Sequence, residues 1–212
     1  MCFYDIHTHK ELEYKNSEIC IKNISLGESM PDCCFSIGIH PWETKNLSIS
    51  DFEKYFQNKN CAAIGECGLD ALFSDATLEM QEDIFREHLD FARILKKPVV
   101  LHIVKSSNQL FHILKEYDDL TYIWHGFTGN ASLIKQFERF NIYFSIGHRG
   151  VEKKSTCVDI PINRLLCETD DLQIPVSEIY EKVAAIRSSN LDLLKNEIAK
   201  NVKNIFGNEL ER

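Results

Sequence analysis

None of the eight cysteines pairs in C-x-x-C spacing, so a zinc ribbon has nothing to build on. No apolar run approaches membrane-span length, which argues against a transmembrane helix. Basic residues are in short supply, 24 Lys and Arg against 32 Asp and Glu, and the net charge of −8 excludes a large basic nucleic-acid footprint. It leaves open a nucleic-acid substrate held by metal ions in a small site. No low-complexity tract, repeat or Pro/Gly-rich linker divides the chain, which reads as one domain over residues 1–212. Met1-Cys2-Phe3-Tyr4-Asp5 offers neither a basic n-region nor an apolar h-region, so no signal peptide is expected and the protein reads as cytoplasmic. Neither a membrane nor an obligate protein partner is called for.

With 44% hydrophobic and 26% charged residues, the chain has ordinary globular usage and enough length for a substantial core. Cys2, Cys20, Cys33, Cys34, Cys61, Cys67, Cys157 and Cys167 are expected reduced, packing as small hydrophobes. Short β-rich runs recur at 2–6, 19–26, 33–39, 62–66, 98–103, 121–124, 142–146 and 164–167. Such continuous runs suit strands buried on both faces, as in parallel sheets. Thr77 is placed to cap a helix carrying Met80, Ile84, Phe85, Leu89, Ala92 and Leu95 at three-to-four spacing and ended by Pro98. Further helical stripes cover 107–117, 132–140, 177–187 and 191–206. Eight strands with interleaved helices predict an α/β protein of the TIM-type (β/α) barrel class. The first strands lie too close for full helices between them, so the barrel is trimmed, with its first two βα connections shortened. A doubly wound sheet is the runner-up, but no Gly-rich phosphate loop follows a strand.

Several strands end in metal-ligand side chains. Strand one ends Asp5-Ile6-His7-Thr8-His9, and strand alternation turns both imidazoles to one side. Strand four ends at Glu66, strand five at His102, strand six at His125, and strand eight in Cys167-Glu168-Thr169-Asp170. Barrel strands bring their carboxyl ends to one mouth, where four histidines and two carboxylates would meet. Imidazole and carboxylate suit first-row divalent ions such as zinc, manganese or nickel. Six such groups exceed the needs of one tetrahedral ion, so two ions are expected, able to clamp a displacement and generate hydroxide near neutral pH.

The ordered set DIHTH, GIHPW, AIGECGLD, PVVLHIVKS, WHGFTG and LLCETDD, with Gln81, Phe85, Leu89 and Ala92 on the helix after GECGLD, resembles the TatD family of metal-dependent hydrolases. The resemblance implies a binuclear centre that hydrolyses phosphodiesters, often of DNA, with DNA or a small phosphodiester as substrate. It implies His7, His9 and Asp170 at the first ion, Glu66 shared by both, and His102 and His125 at the second, the ions being zinc, manganese or magnesium. Asp170 would also orient the water and take its proton, with Glu66 its partner in catalysis. On this reading Glu66→Gln loosens both ions, whereas His125→Ala mainly empties the second site.

Val104 stands where the family usually carries Arg after the strand-five histidine, and Lys105 offers a mobile point charge instead. Asp171 and Leu172 replace the small residue and Pro that usually follow the last aspartate. These departures bear on the substrate more than on the metals. His40 and Lys105 are candidate phosphate-binding residues, Trp42 a base-stacking or rim residue, and Asp70 an acceptor for a ligand histidine or a loop cap. His148 and Arg149 offer positive charge after strand seven, and His88 and His112 read as surface or partly buried helix residues. Two other functions compete. One is an amidohydrolase-type C–N hydrolase, against which stands the lack of a strand-end Lys for a bridging carbamate. The other is a catalytically silent metal-binding barrel, against which stands the complete ligand set.

Overall fold

The structure is a computed structural model and describes residues 2–10 and 18–211. Its strands are β1 (Phe3–Thr8), β2 (Glu18–Ile24), β3 (Phe35–Ile37), β4 (Cys61–Asp70), β5 (Val99–Val104), β6 (Thr121–Trp124), β7 (Asn141–Ile146) and β8 (Leu165–Cys167). They form an eight-stranded sheet whose order is the order in sequence, with parallel pairing. Its helices are α1 (Glu53–Phe56), α2 (Leu78–Leu95), α3 (Ser107–Leu114), α4 (Ala131–Phe137), α5 (His148–Glu152), α6 (Lys154–Asp159), α7 (Val176–Ile186) and α8 (Leu191–Phe206). This is the connectivity of a (β/α) barrel, the class read from the sequence. No helix joins β2 to β3, in line with a shortened connection, while residues 11–17 of the first connection lie outside the described residues. No described helix is long and apolar enough to cross a membrane. By its internal contacts the chain divides into two compact units, Asn23–Trp124 and Met1–Lys22 with His125–Arg212.

In the Asn23–Trp124 unit, all ten residues of β4 are buried, between β3 and β5. This strand runs four residues beyond the expected 62–66, because the glycines of Gly65-Glu66-Cys67-Gly68 act as close-approach points and not as breakers. Helix α2 begins as expected, with Thr77 accepting a hydrogen bond from the Met80 amide at 3.2 Å, and it stops at Lys96 in left-handed conformation just before Pro98. Its buried face consists of Gln81, Phe85, His88, Leu89 and Ala92, whereas Met80 is exposed. Gln81 behaves as a stand-in peptide for the end of β4. Its Oε1 accepts from the Asp70 amide at 2.7 Å, and its Nε2 donates to the carbonyls of Asp70 and Ala76.

His88 is fully buried, contrary to the surface reading, while His112 is exposed as expected. The His88 Nδ1–H donates to the Ile84 carbonyl at 2.7 Å, and its Nε2 accepts from the Ile39 amide at 2.9 Å. Both nitrogens are thus committed to the neutral ring, and burial pushes its pKa down to about 4. The unfolded chain takes up a proton near pH 6.5 that the folded protein refuses until about pH 4. Stability is therefore expected to fall as pH drops through that window, by ~3 kcal/mol in total, with no slope from His88 above it. Denaturant titrations at pH 7, 5.5 and 4.5 check this against His88→Leu. The variant should start less stable, with the Ile39 amide left unpaired, yet lose less on acidification. Equal slopes in the two proteins would reject the assignment.

The other unit joins β7 and β8 to β1. A parallel bridge pairs Thr8 with Asp170, the Asp170 amide donates to the His7 carbonyl, and the His9 amide donates to the Asp170 carbonyl, both at 3.0 Å. Beneath this seam the buried Asp5 carboxylate accepts from the Thr169 amide at 2.9 Å and from the Thr169 hydroxyl at 2.6 Å, and it meets Lys10 Nζ at 3.1 Å. Burial raises the Asp5 pKa, while Lys10 and Thr169 oppose the rise. The Tyr180 hydroxyl of α7 accepts from the Tyr4 amide and donates to the Tyr4 carbonyl, fixing α7 against β1. Helix α8 spans the expected residues, opened by Asn190 accepting from the amides of Asp192 and Leu193.

Candidate metal centre

In the Asn23–Trp124 unit, Glu66 on β4, His102 on β5 and His40 just after β3 come together, each offering one ligand atom within 4.8 Å of the others. Glu66 Oε1 lies 2.7 Å from His102 Nδ1 and 3.6 Å from His40 Nε2, and the two imidazoles stand 4.3 Å apart by ring centroids. The Glu66 amide donates to Asn23 Oδ1 at 3.1 Å, an oxygen that also accepts from the Ser36 hydroxyl. His88 holds the chain one residue before His40 through the Ile39 amide. Of the two roles open to Asp70 it takes the loop cap, its other oxygen lying beyond hydrogen-bond distance of His102 Nε2. Its Oδ1 accepts from the Leu72 amide at 2.9 Å and caps the loop, while its Oδ2 lies 3.7 Å from His102 Nε2 and accepts from the Trp42 indole at 2.8 Å.

In the other unit, His7, His125 and Asp170 form a second such group, and His9, Asp170 and Asp171 a third. Asp170 Oδ1 stands 3.9 Å from His7 Nε2 and 3.8 Å from His9 Nε2, and the rings of His7 and His125 are 4.4 Å apart. Asp170 has φ 54, and backbone bonds on both sides hold it there. Sequence reasoning passed over Glu168, which is fully buried. Its Oε1 accepts from the Gly126 amide at 2.6 Å and lies 3.5 Å from His125 Nδ1. Its Oε2 is buried with no hydrogen-bond partner among the described residues. The alternation that faces His7 and His9 together also faces Asp5 with them and Glu168 with Asp170, and that signal was available.

These residues fit divalent ions. The separations of 3.6–3.9 Å between imidazole nitrogen and carboxylate oxygen are too long for hydrogen bonds. They are near what two ligands subtend when each sits about 2.1 Å from a shared cation. Nitrogen and oxygen donors dominate, and a buried carboxylate oxygen such as Glu168 Oε2 is costly to leave without positive charge nearby. No cysteine enters these groups, and burial raises the thiols of Cys67 and Cys167 well above their ordinary range, which keeps them protonated. Of the eight cysteines, four are buried and four half-buried. Lys105 is exposed at φ 53 beyond β5, and Arg149 is exposed and His148 half-buried at the start of α5. None of these three belongs to the groups above.

Comparison with known proteins shows the family and the fold that this chain shares. The family described as TatD related DNase matches residues 7–207. An uncharacterised metal-dependent hydrolase of Buchnera aphidicola (subsp. Acyrthosiphon pisum) is 33% identical over 153 residues, 64% of this chain and 58% of that protein. A protein of Pectobacterium atrosepticum named 3'-5' ssDNA/RNA exonuclease TatD is 30% identical over 175 residues, 77% of this chain and 67% of its own. The crystal structure of YjjV, a TatD homologue of Escherichia coli, superposes with a TM-score of 0.80 at 20% identity, covering 96% of this chain and 97% of that one, which shows the shared fold. A TatD family hydrolase of Entamoeba histolytica superposes at 0.75 with 17% identity, covering 97% and 98%. The matched region spans little more than half the length of the two Buchnera relatives, 58% and 54%.

Proposed function

The chain belongs to the TatD-related DNase family, and from there we propose that it is a metal-dependent hydrolase that cleaves phosphodiester bonds, acting as a deoxyribonuclease on short or single-stranded substrates. The observation that carries this reading is the placement of Asp170 Oδ1 at 3.8–3.9 Å from two imidazoles, matched by the His40–Glu66–His102 group. We assign His7, His9, His125 and Asp170, with Glu66 and His102, as ligands of two divalent ions, zinc, manganese or magnesium, and His40 as a further candidate ligand. When bound, such ions polarise a phosphoryl oxygen and lower the pKa of water. Asp170 accepts a proton from the attacking water. The buried Glu168 carboxylate stands 3.5 Å from His125 Nδ1 and sets its negative charge beside that ring. Asp5 and Thr169 hold the backbone on which Asp170 sits.

We place this chemistry in one catalytic domain over residues 1–212, and the cysteines, packed as small hydrophobes, support a reducing, cytoplasmic setting. The net charge of −8 favours a compact or single-stranded substrate over long duplex DNA, whose binding leans on many phosphate contacts. The test is protein stripped of metal, reloaded with manganese and given a short single-stranded DNA, with Glu66→Gln as control. Cleavage that needs the metal and disappears in the variant is expected. Intact DNA after incubation with folded, metal-loaded protein would sink the nuclease reading and turn the screen to small phosphoesters and amides.

A further inference from the structure

We propose that Trp42 is a stacking platform for a nucleobase, which it holds beside the His40–Glu66–His102 group. The inference deepens the phosphodiesterase reading above and rests on it. Trp42 is 53% exposed, yet its ring is held from several directions. Its indole N–H donates to Asp70 Oδ2 at 2.8 Å, and its backbone amide donates to His40 Nδ1 at 3.2 Å. The Phe73 ring lies nearly parallel to it, at 25° and 5.9 Å between centroids. His40 meets it edge-on at 4.5 Å and His102 at 6.1 Å. Leu72, next to Phe73 in the chain, is 70% exposed.

The result is an oriented aromatic surface, open to solvent and adjacent to two histidines of the group. An indole free to rotate would lose entropy on gripping a ligand, whereas this one has already lost it. A flat π-face recognises any base, because every base has a π-face of its own. A base stacked here leaves its own sugar–phosphate within reach of His40 and His102. The platform also supplies sequence-blind affinity that a chain short of basic residues cannot draw from phosphate contacts.

The test uses oligothymidylate and an all-abasic strand of the same length, cleaved by metal-loaded wild type, Trp42→Ala and Trp42→Phe. The wild type should show a KM about 5- to 150-fold higher on the abasic strand, the size of one base–aromatic stack. Trp42→Ala should raise the KM for oligothymidylate by a similar factor and close the gap between the two strands, with the effect on KM more than on kcat. Trp42→Phe should keep most of the gap. Thymidine should also quench tryptophan emission in wild type but not in Trp42→Ala, a readout that needs no turnover. Running oligouridylate alongside tells whether DNA or RNA supplies the base.

Equal KM for the two strands in wild type, without Trp42-dependent quenching, overturns the platform and leaves the phosphodiesterase reading standing. The platform also falls if Trp42→Phe is as damaged as Trp42→Ala while both keep the strand gap, since the indole then acts by holding Asp70. Cleavage of neither strand overturns the phosphodiesterase reading instead, and the quenching titration still decides whether the indole binds bases.

Discussion

Asp170→Asn is expected to lower kcat on single-stranded DNA by a factor on the order of 10²–10⁴, the range for a lost general base, and to reduce the divalent metal retained after gel filtration. The substitution isolates the charge. The bonds that fix residue 170 run through its backbone, from its amide to the His7 carbonyl and from the His9 amide to its own carbonyl. Asn keeps both, and at φ 54 Asn is as comfortable as Asp. What changes is the oxygen that stands 3.8–3.9 Å from His7 and His9. The metal-free variant should therefore unfold at nearly the wild-type temperature, which separates a chemical defect from a folding defect. A variant that turns over at the wild-type rate would remove Asp170 from the chemistry.

Gly68→Ala is expected to cost ~3 kcal/mol or more and to lower Tm by about 6–12 °C for a chain of this size. Gly68 has φ +142, and a Cβ there would lie 2.3 Å from the His102 carbonyl oxygen and 3.1 Å from Ile103 Cδ1. Gly68 and His102 are register partners on β4 and β5, so backbone has to move, and the part that moves carries a candidate ligand. Loss of activity should exceed what the loss of folded protein explains. Gly27→Ala is the control, since φ +92 strains it while nothing lies within 4 Å of its Cβ. It should cost about 1–2 kcal/mol, from backbone strain alone. If calorimetry gave the two variants similar Tm values, the backbone contact at Gly68 would not be what limits substitution there.

The six proposed ligands could be picked out because a buried strand has a two-residue period and ends where polar side chains begin. The same rule applied more evenly would have added Asp5 and Glu168, each two residues from a ligand already chosen. Helix periodicity likewise held more than was taken from it. Gln81, Phe85, His88 and Ala92 recur at helical spacing and all four are buried, but the polarity of Gln81 and His88 hid their place in the interior. His40 was singled out at the end of strand three, but what holds it there was not legible in this way. It depends on a hydrogen bond from the Ile39 amide to a side chain on α2, a pairing that no local pattern encodes. The extent of β4 was obscured for a similar reason. Gly68 lies beyond the expected end of the strand, and only the neighbouring strand shows why it and Gly65 are needed.

One of the two compact units is made from both ends of the chain, residues 1–22 and 125–212, while the other is a single continuous stretch. Synthesis proceeds from the N-terminus at about 5–20 residues per second. The stretch from His7 to Asp170 therefore takes on the order of ten to thirty seconds to emerge. Throughout that time β1 is complete but lacks β8, and His7 and His9 have no aspartate to face. The continuous unit, with Glu66 and His102, has by then left the ribosome whole. A growing chain thus carries an unfinished centre until Asp170 has been made, and the His7–His125–Asp170 group comes together only after that.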